Sequence, residues 1–189
     1  FVSTPDILPY HLQGGEAWMF KARLALAAML SGNYGIYNGF ELLEHQPIPG
    51  REEYLDSEKY EIKTRDWDQP GNIKPYICAI NQARRANPAL QQTSNLRFLP
   101  LDNDNVIAFV KSDATTNNVV VGAISLTRDV QDFWLPLSSV EMTTAERERK
   151  APLALENLIT RERRAVEWGG IHLRIDPARD PAILFRCLA

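Results

Sequence analysis

The sequence has little cysteine: two residues, Cys78 and Cys187, in a chain of 189. Two cysteines so far apart make neither a disulfide framework nor a metal site, so we expect two buried free thiols in a reducing compartment. No apolar run reaches the roughly 18 residues that a membrane-spanning helix needs. An excess of positive charge is also lacking, because 21 Lys and Arg face 24 Asp and Glu. The composition therefore gives no electrostatic case for binding nucleic acid.

Motifs for metals, cofactors and phosphates are lacking as well. The three histidines, His11, His45 and His172, have no spacing that suits a metal or a catalytic triad, so no metal and no cofactor is expected. The Gly14-Gly15 pair lacks the Lys and Ser/Thr partners of a phosphate-binding loop. What is present is globular composition, with 44% hydrophobic and 9% aromatic residues. The first four residues resemble the interior of a strand, so we expect the chain to begin inside a domain.

The first ninety residues alternate between strand-like and helical patterns. A short β-prone run at 1–4 is halted by a proline, and a strongly apolar helix is predicted over 16–30. A second short apolar run at 34–38 suits a buried parallel strand. A long polar loop covers 44–72, and an amphipathic helix follows over 73–85. This order is typical of an α/β barrel.

The pattern changes after Pro88 to strand-like runs separated by turn residues. The predicted strands are Asn95–Leu101, Asn105–Lys111, Asn118–Leu126, Gln131–Leu135, Leu153–Leu158, Arg164–Trp168, Ile171–Ile175 and Ala182–Cys187. Thr144–Ala151 is charged and is expected to form at most one helical turn. Strands at this spacing predict an antiparallel β-sandwich, with the boundary near residues 88–95.

Asp6 is the first candidate for chemistry. It lies just beyond the predicted first strand, and catalytic acids of α/β barrels lie at the carboxyl ends of strands. A Pro-Asp pair in a loop is, by position alone, more often a turn or a helix cap. Position alone therefore leaves both interpretations open.

Several motifs, read together, resemble the α-amylase superfamily, and more narrowly its bacterial α-1,4-glucan:maltose-1-phosphate maltosyltransferase branch. They are Thr4-Pro5-Asp6-Ile7-Leu8, Gly35-Ile36-Tyr37-Asn38-Gly39-Phe40-Glu41-Leu42, Glu53-Tyr54-Leu55-Asp56-Ser57-Glu58-Lys59-Tyr60, Arg65-Asp66-Trp67 and Asn87-Pro88-Ala89-Leu90-Gln91. The resemblance is dense from residue 4 to about residue 111 and looser beyond. Its specific part is the block Tyr54–Tyr60, which ordinary amylases do not carry.

This resemblance implies the fold class α/β followed by all-β. Residues 1–90 would be the C-terminal part of a (β/α)8 catalytic barrel, and residues 91–189 a C-terminal antiparallel β-sandwich domain. Segments 1–4 and 34–38 would be the seventh and eighth barrel strands. Residues 1–90 are expected to be unstable unless they pair with the rest of such a barrel.

The resemblance also implies a retaining mechanism, which needs a nucleophilic carboxylate and an acid/base carboxyl. Asp6 matches the third acid of this superfamily, which binds hydroxyls of the reacting ring and stabilises the transition state. The nucleophile and the acid/base would lie upstream of Phe1. Hydrolases of the superfamily usually have Asn-His before this Asp. Thr4-Pro5 stands there instead, which favours the transferase branch and removes a sugar-binding histidine.

Lys59 and Tyr60 are the candidate substrate-binding residues. A lysine donates hydrogen bonds to sugar hydroxyls, and a tyrosine ring stacks on a pyranose. The equally plausible alternative is that Glu58-Lys59 is a solvated charge pair and that Tyr60 anchors the loop. Trp67 is expected to pack, and Glu41 to fix local structure.

These features predict a fragment of a cytoplasmic maltosyltransferase that takes maltose 1-phosphate as donor and an α-glucan as acceptor. The fragment alone is expected to be inactive, because two of three catalytic carboxylates would lie elsewhere. The alternatives are an α-amylase-type hydrolase, a trehalose-interconverting enzyme, or a non-catalytic structural or glycan-binding piece. No nucleic-acid or membrane partner is expected, and a homodimer of the full-length protein is left open.

Overall fold

The structure is a computed structural model that describes residues 1–58, 62–138, 140, 153–166 and 169–188. Two α-helices lie in the first half, α1 at Ala17–Leu30 and α2 at Lys74–Ala86. Short 3-10 turns occupy Tyr10–Leu12, Phe40–Leu42 and Pro88–Gln91. Both predicted helices are confirmed to within about two residues, the usual uncertainty of a helix end. No helix among the described residues is long and apolar enough to cross a membrane.

Helix α1 is buried on most sides, as its apolar sequence predicts. Phe20, Leu24 and Met29 are fully buried. Its last carbonyl groups have no partner inside the helix, and the guanidinium of Arg84 on α2 supplies one. Arg84 donates to the carbonyls of Ala28, Ser31 (2.9 Å) and Gly32 (2.7 Å). A single arginine therefore fixes α2 against the carboxyl end of α1.

The expected thiol burial is wrong for Cys78. This free thiol is exposed, because it lies on the face of α2 opposite the buried Tyr76, Ile80 and Ala83. Cys187, in the last strand, is half-buried.

The two segments predicted as strands at 1–4 and 34–38 do not form strands. They lie side by side, and the Val2 N–H donates to the Gly35 carbonyl at 3.0 Å, but Thr4 bridges only to Ile7. Strand geometry needs a continuous ladder, and a strand buried in a parallel sheet has one on each side. One hydrogen bond does not make a ladder, so the strand assignment is wrong for these segments while their adjacency remains.

All eight strands predicted in the second half are present. They are β1 (Leu96–Leu99), β2 (Val106–Asp113), β3 (Asn118–Ser125), β4 (Gln131–Pro136), β5 (Leu153–Asn157), β6 (Arg163–Val166), β7 (Gly170–Ile175) and β8 (Ala182–Leu188). They form a six-stranded antiparallel sheet in the order β1-β2-β3-β8-β5-β6 and a two-stranded sheet of β4 and β7. The helical turn expected at Thr144–Ala151 lies outside the described residues.

The central strands β2 and β3 of the six-stranded sheet are buried on both faces. One face, including Phe109, Val120 and Ile124, shares a hydrophobic core with α1 and α2. The other face, including Val121 and Phe185, shares a second core with β4 and β7. Because side chains alternate between faces along a strand, two covered faces give the nearly continuous apolar runs of β2 and β3. Helices, large sheet and small sheet therefore form three layers.

The junction between the helical half and the sheets is a buried amide pair. Asn87 is fully buried, and its Nδ2 donates to the Ala83 carbonyl at 2.8 Å. Its Oδ1 accepts from Asn118 Nδ2 at 3.0 Å, and Asn118 Oδ1 in turn accepts from the Ala89 N–H at 3.1 Å. The carboxyl end of α2 is thereby tied to the start of β3.

Candidate active site

Asp6 lies at the tip of a tight turn. The turn is closed by two backbone hydrogen bonds between Thr4 and Ile7, of 3.0 Å and 3.1 Å. Pro5 precedes Asp6, and proline at this position presets the backbone angle that such a turn requires. The Asp6 side chain is exposed, so its carboxylate points away from the core.

Both ends of this turn are held by other elements. On the amino side, Arg23 of α1 donates through Nε to the Val2 carbonyl. On the carboxyl side, the Leu8 N–H donates to the Glu52 carbonyl, and the Tyr10 N–H donates to Glu52 Oε1 at 3.2 Å. The backbone around Asp6 is therefore fixed by the helix that follows it and by the long loop.

Segments 1–4 and 34–38 run in the same direction at this end of the molecule. Val2 bonds to Gly35, and farther along both segments Ser3 and Tyr37 both lie beside Tyr54. The Tyr37 and Tyr54 rings are 5.4 Å apart, centre to centre. Asp6, which follows segment 1–4, and Asn38, the last residue of segment 34–38, therefore lie toward the same end. Neither segment forms a strand here, but in α/β barrels catalytic groups lie at the corresponding carboxyl ends of the strands.

Tyr54 is the buried centre of this region. Its hydroxyl and that of Ser3 are both buried, and within the described residues neither makes a well-aligned hydrogen bond. Burial raises the pKa of Tyr54 to about 12, so the phenol stays protonated. A neutral, buried phenol is a packing and hydrogen-bonding group, not a general base.

The loop after Leu43 is irregular but well anchored. Backbone bonds join Ile48 to Glu53 (2.8 Å) and Leu55 to Gln46 (2.9 Å), which makes a hairpin-like excursion. A cleft of about 340 Å³ opens inside the loop. Its polar lining consists of Glu44, His45, Gln46, Asp56, Lys63 and Gln69. Carboxylate, amide and ammonium groups of this kind suit a ligand rich in hydroxyl groups.

Arg65 is the main electrostatic anchor of the loop. Only 4% of its side chain is exposed. Its guanidinium contacts Glu44 through two nitrogens, at 2.6 Å and 3.3 Å, and Glu58 at 2.9 Å. Burial alone would lower the pKa of Arg65, but the hydrogen bonds to both carboxylates outweigh it and raise the pKa. The guanidinium is therefore charged at every accessible pH.

The predictions for the substrate-binding residues and for Glu41 and Trp67 compare differently with the structure. Lys59 and Tyr60 lie outside the described residues, and the description resumes at residue 62. Glu41 has a local role, since its carboxylate accepts from the Gly39 N–H at 3.1 Å. Trp67 differs from its expected packing role: 42% of it is exposed, and the Arg65 guanidinium lies 5.9 Å from its ring centroid. Trp67 lies in a turn of the loop, where more than a third of the residue faces solvent.

Within the described residues, no group of three or more His, Cys, Asp or Glu side chains could hold a metal ion. The role of Arg65 was not predicted from the sequence. Glu44 and Glu58 lie 21 and 7 residues before Arg65 in the sequence, and no local periodicity joins acids at such distances. The only available signal was that Glu58 and Arg65 fall inside motifs already singled out, whereas Glu44 does not.

Known proteins resemble this chain over most of its length. It is 44% identical to the α-1,4-glucan:maltose-1-phosphate maltosyltransferase of Rhodospirillum rubrum, over 98% of this chain and 27% of that protein. The Corynebacterium glutamicum protein of the same name is 42% identical, over 98% of this chain and 28% of that protein. The chain is similar to maltosyltransferases. This confirms the predicted resemblance. The chain spans about a quarter of the length of these relatives, and no family model matches it.

Solved structures confirm the fold class. The α-amylase of Geobacillus thermoleovorans, solved with acarbose, matches with a TM-score of 0.64 at 16% identity, covering 90% of this chain and 33% of that one. An Anoxybacillus α-amylase matches with a TM-score of 0.61, also at 16% identity, covering 97% of this chain and 36% of that one. At this identity the likeness concerns the fold alone. It confirms the predicted fold class: a helical first part followed by antiparallel sheets, as in these α-amylases.

Proposed function

We propose that this chain is part of a retaining maltosyltransferase that moves maltosyl units from maltose 1-phosphate to α-1,4-glucan. Residues 1–90 would belong to the catalytic barrel, and residues 91–189 would form the sandwich that follows it. The similarity to maltosyltransferases over 98% of the chain carries this proposal. The α-glucan acceptor and the sugar phosphate donor are the partners it implies, in the cytoplasm.

Asp6 is the transition-state stabiliser in this proposal. A retaining reaction passes through oxocarbenium-like transition states on either side of a covalent glycosyl-enzyme. When a carboxylate accepts hydrogen bonds from ring hydroxyls, its interaction with the sugar becomes stronger as positive charge develops on the ring. This stabilises the transition state more than the ground state and so lowers the barrier. The exposed carboxylate on a turn fixed at both ends supports this role, because preorganised groups need no rearrangement during reaction. The nucleophile and the acid/base would come from other strands of the barrel.

Acceptor-dependent phosphate release tests the proposal. The enzyme that contains this chain should release inorganic phosphate from maltose 1-phosphate only when a maltooligosaccharide or glycogen is supplied. Hydrolysis of starch without phosphate release would instead identify an α-amylase-type hydrolase. The 189-residue chain by itself should release no phosphate, and turnover by it would contradict the assignment of the other two carboxylates.

The Asp6→Asn variant tests the role of the carboxylate. It should lower kcat about a thousandfold or more, since it removes charge that acts in the transition state. Asp104→Asn, which changes an exposed acid in a sheet turn, is the matched control. If Asp6→Asn and Asp104→Asn had similar kcat values, Asp6 would not be the catalytic acid.

A further inference from the structure

The Arg65 cluster joins three separate stretches of the chain. Arg65 Nη2 donates to the Asn38 carbonyl at 3.4 Å, besides its contacts with Glu44 and Glu58. Asn38 Nδ2 also donates to Glu58 Oε2 at 3.4 Å. The end of segment 34–38, the start of the loop and the middle of the loop therefore meet at one guanidinium.

Glu58 is held at its backbone as well as at its carboxylate. Its N–H donates to the Tyr37 hydroxyl at 2.9 Å. With the bond from Asn38, this gives Glu58 two contacts with the end of segment 34–38, and Arg65 adds a third contact from within the loop. Glu58 directly precedes Lys59 and Tyr60 in the sequence, the pair predicted to bind substrate.

The Arg65 cluster is balanced in charge, and the backbone around it leaves room for the Glu44 carboxylate. Lys63 Nζ lies 3.4 Å from Glu44 Oε2, so two cations face two carboxylates. A Cβ at Gly39 would overlap the Glu44 carboxylate, and Gly39 has φ of +96°, so a glycine is required there on both counts. Buried ion pairs add little net stability against apolar replacements, but they are specific in geometry. Such a cluster is better explained by positioning than by stability.

We propose that Arg65 is a positioning residue for substrate binding. By bridging Glu44 and Glu58, it holds the loop against the end of segment 34–38, at the same end of the molecule as Asp6. The loop's polar groups are then in place before a sugar arrives, which avoids an ordering cost on binding. The role in substrate binding rests on the proposed maltosyltransferase function; the structural role of Arg65 in the loop does not.

The kinetic test uses the enzyme that contains this chain. Arg65→Met keeps the length of the side chain but removes the charge and the donors. Its KM for maltose 1-phosphate should rise about tenfold or more while kcat changes less than about threefold, because the loop binds ground state and transition state alike. Arg65→Lys should fall between wild type and Arg65→Met, since one ammonium cannot donate to both carboxylates in a fork.

Matched controls separate positioning from general damage. Arg51→Met removes an exposed ion pair with Glu53 (3.4 Å) from the same loop and should leave both constants within about twofold, as exposed pairs are weak. Glu58→Gln, which keeps an acceptor for Arg65, should raise KM less than Glu58→Ala. If Arg65→Met does not fold, the predicted order of KM values can still be tested with Arg65→Lys and with the two variants of Glu58.

Hydrogen exchange supplies a readout independent of activity. In the enzyme that contains this chain, Arg65→Met should speed exchange of the Glu58 amide about tenfold or more, while Arg51→Met should not. An unchanged KM, or a loss confined to kcat, would overturn the substrate-binding role. Unchanged exchange at Glu58 would overturn the structural role. A wild-type enzyme that releases no phosphate would instead refute the proposed function, and the exchange result would still stand by itself.

Discussion

The clearest energetic prediction concerns Lys111, a lysine in the middle of β2 with no exposed surface. It lies on the face of the sheet that meets the helical half, and its Nζ donates to the Gln92 carbonyl. Burial, with a smaller contribution from the Arg84 guanidinium, lowers the pKa of Lys111 from 10.5 to about 8. A charged lysine is thus tolerated here at neutral pH but not favoured. Lys111→Met should therefore stabilise the chain.

The magnitude follows from the pKa. A fall from 10.5 to about 8 corresponds to about 3 kcal/mol of penalty on the charged form. Gln92, whose carbonyl accepts the hydrogen bond, is an exposed residue, so solvent lies near the buried ammonium and screening reduces the figure to about 1–2 kcal/mol. The lost hydrogen bond costs little, because water can replace the lysine at an exposed residue such as Gln92. Lys111→Met should gain about 1–2 kcal/mol in unfolding free energy at pH 7.

The sign of the pH dependence gives a second readout. Because the folded-state pKa lies below the unfolded-state value, the unfolded chain binds more protons between pH 8 and pH 10.5. Wild-type stability should therefore rise with pH across this window, relative to Lys111→Met. Urea unfolding of both chains at pH 7, 8.5 and 10, followed by circular dichroism, measures the difference. A Met variant less stable than wild type at pH 7, or a difference that does not shrink as pH rises, would refute the reasoning.

Two packing predictions concern the sheet and its junction with the helices. Gly122→Ala should cost about 1–3 kcal/mol, because its Cβ would overlap the Phe109 ring on the neighbouring strand. Thermal unfolding should show no comparable loss in Gly14→Ala, where the new methyl meets nothing within 4 Å. Asn87→Ala should cost about 2–3 kcal/mol, because it leaves Asn118 Nδ2 and the Ala83 carbonyl without their buried partner. Asn33→Ala, an exposed change, is its control in urea unfolding, and equal midpoints would show that the amide pair is not stabilising.

The architecture of the chain was predictable where local patterns decide structure. Helices α1 and α2 follow from apolar periodicity, and all eight strands follow from β-prone runs between turn residues. The pairing of β4 with β7 as a separate small sheet did not follow, because strand order depends on contacts between distant residues. Segments 1–4 and 34–38, in contrast, were predicted as strands but do not form them. Their β propensity is real, but propensity without neighbours on both sides gives adjacency without a ladder.

The candidate site was predictable only in part. Asp6 was found because it directly follows a β-prone run and a proline, which are neighbours in sequence. Its anchoring by Arg23 and Glu52 was not visible, since those partners lie 17 and 46 residues away. Tyr54 was noted only as part of a motif, and its burial against Tyr37 is a tertiary contact. Local chemistry can be derived from the sequence, whereas the partners that position it are set by the fold.

Asp6 and Arg65 are fixed by different physical means, and this makes their variants informative in different ways. The turn at Asp6 is closed by backbone hydrogen bonds between Thr4 and Ile7, and its ends are held by Arg23 and Glu52. Asparagine has nearly the shape of aspartate and still hydrogen-bonds, so Asp6→Asn should keep these backbone bonds while it removes the charge. Arg65 acts through its side chain alone, so its variants should loosen the loop while leaving the Asp6 turn in place. If the two perturbations are separable in this way, Asp6→Asn should leave Glu58 exchange unchanged, and Arg65→Met should leave the Leu8 amide protected. Coupling between them would mean that the loop and the turn form one cooperative unit.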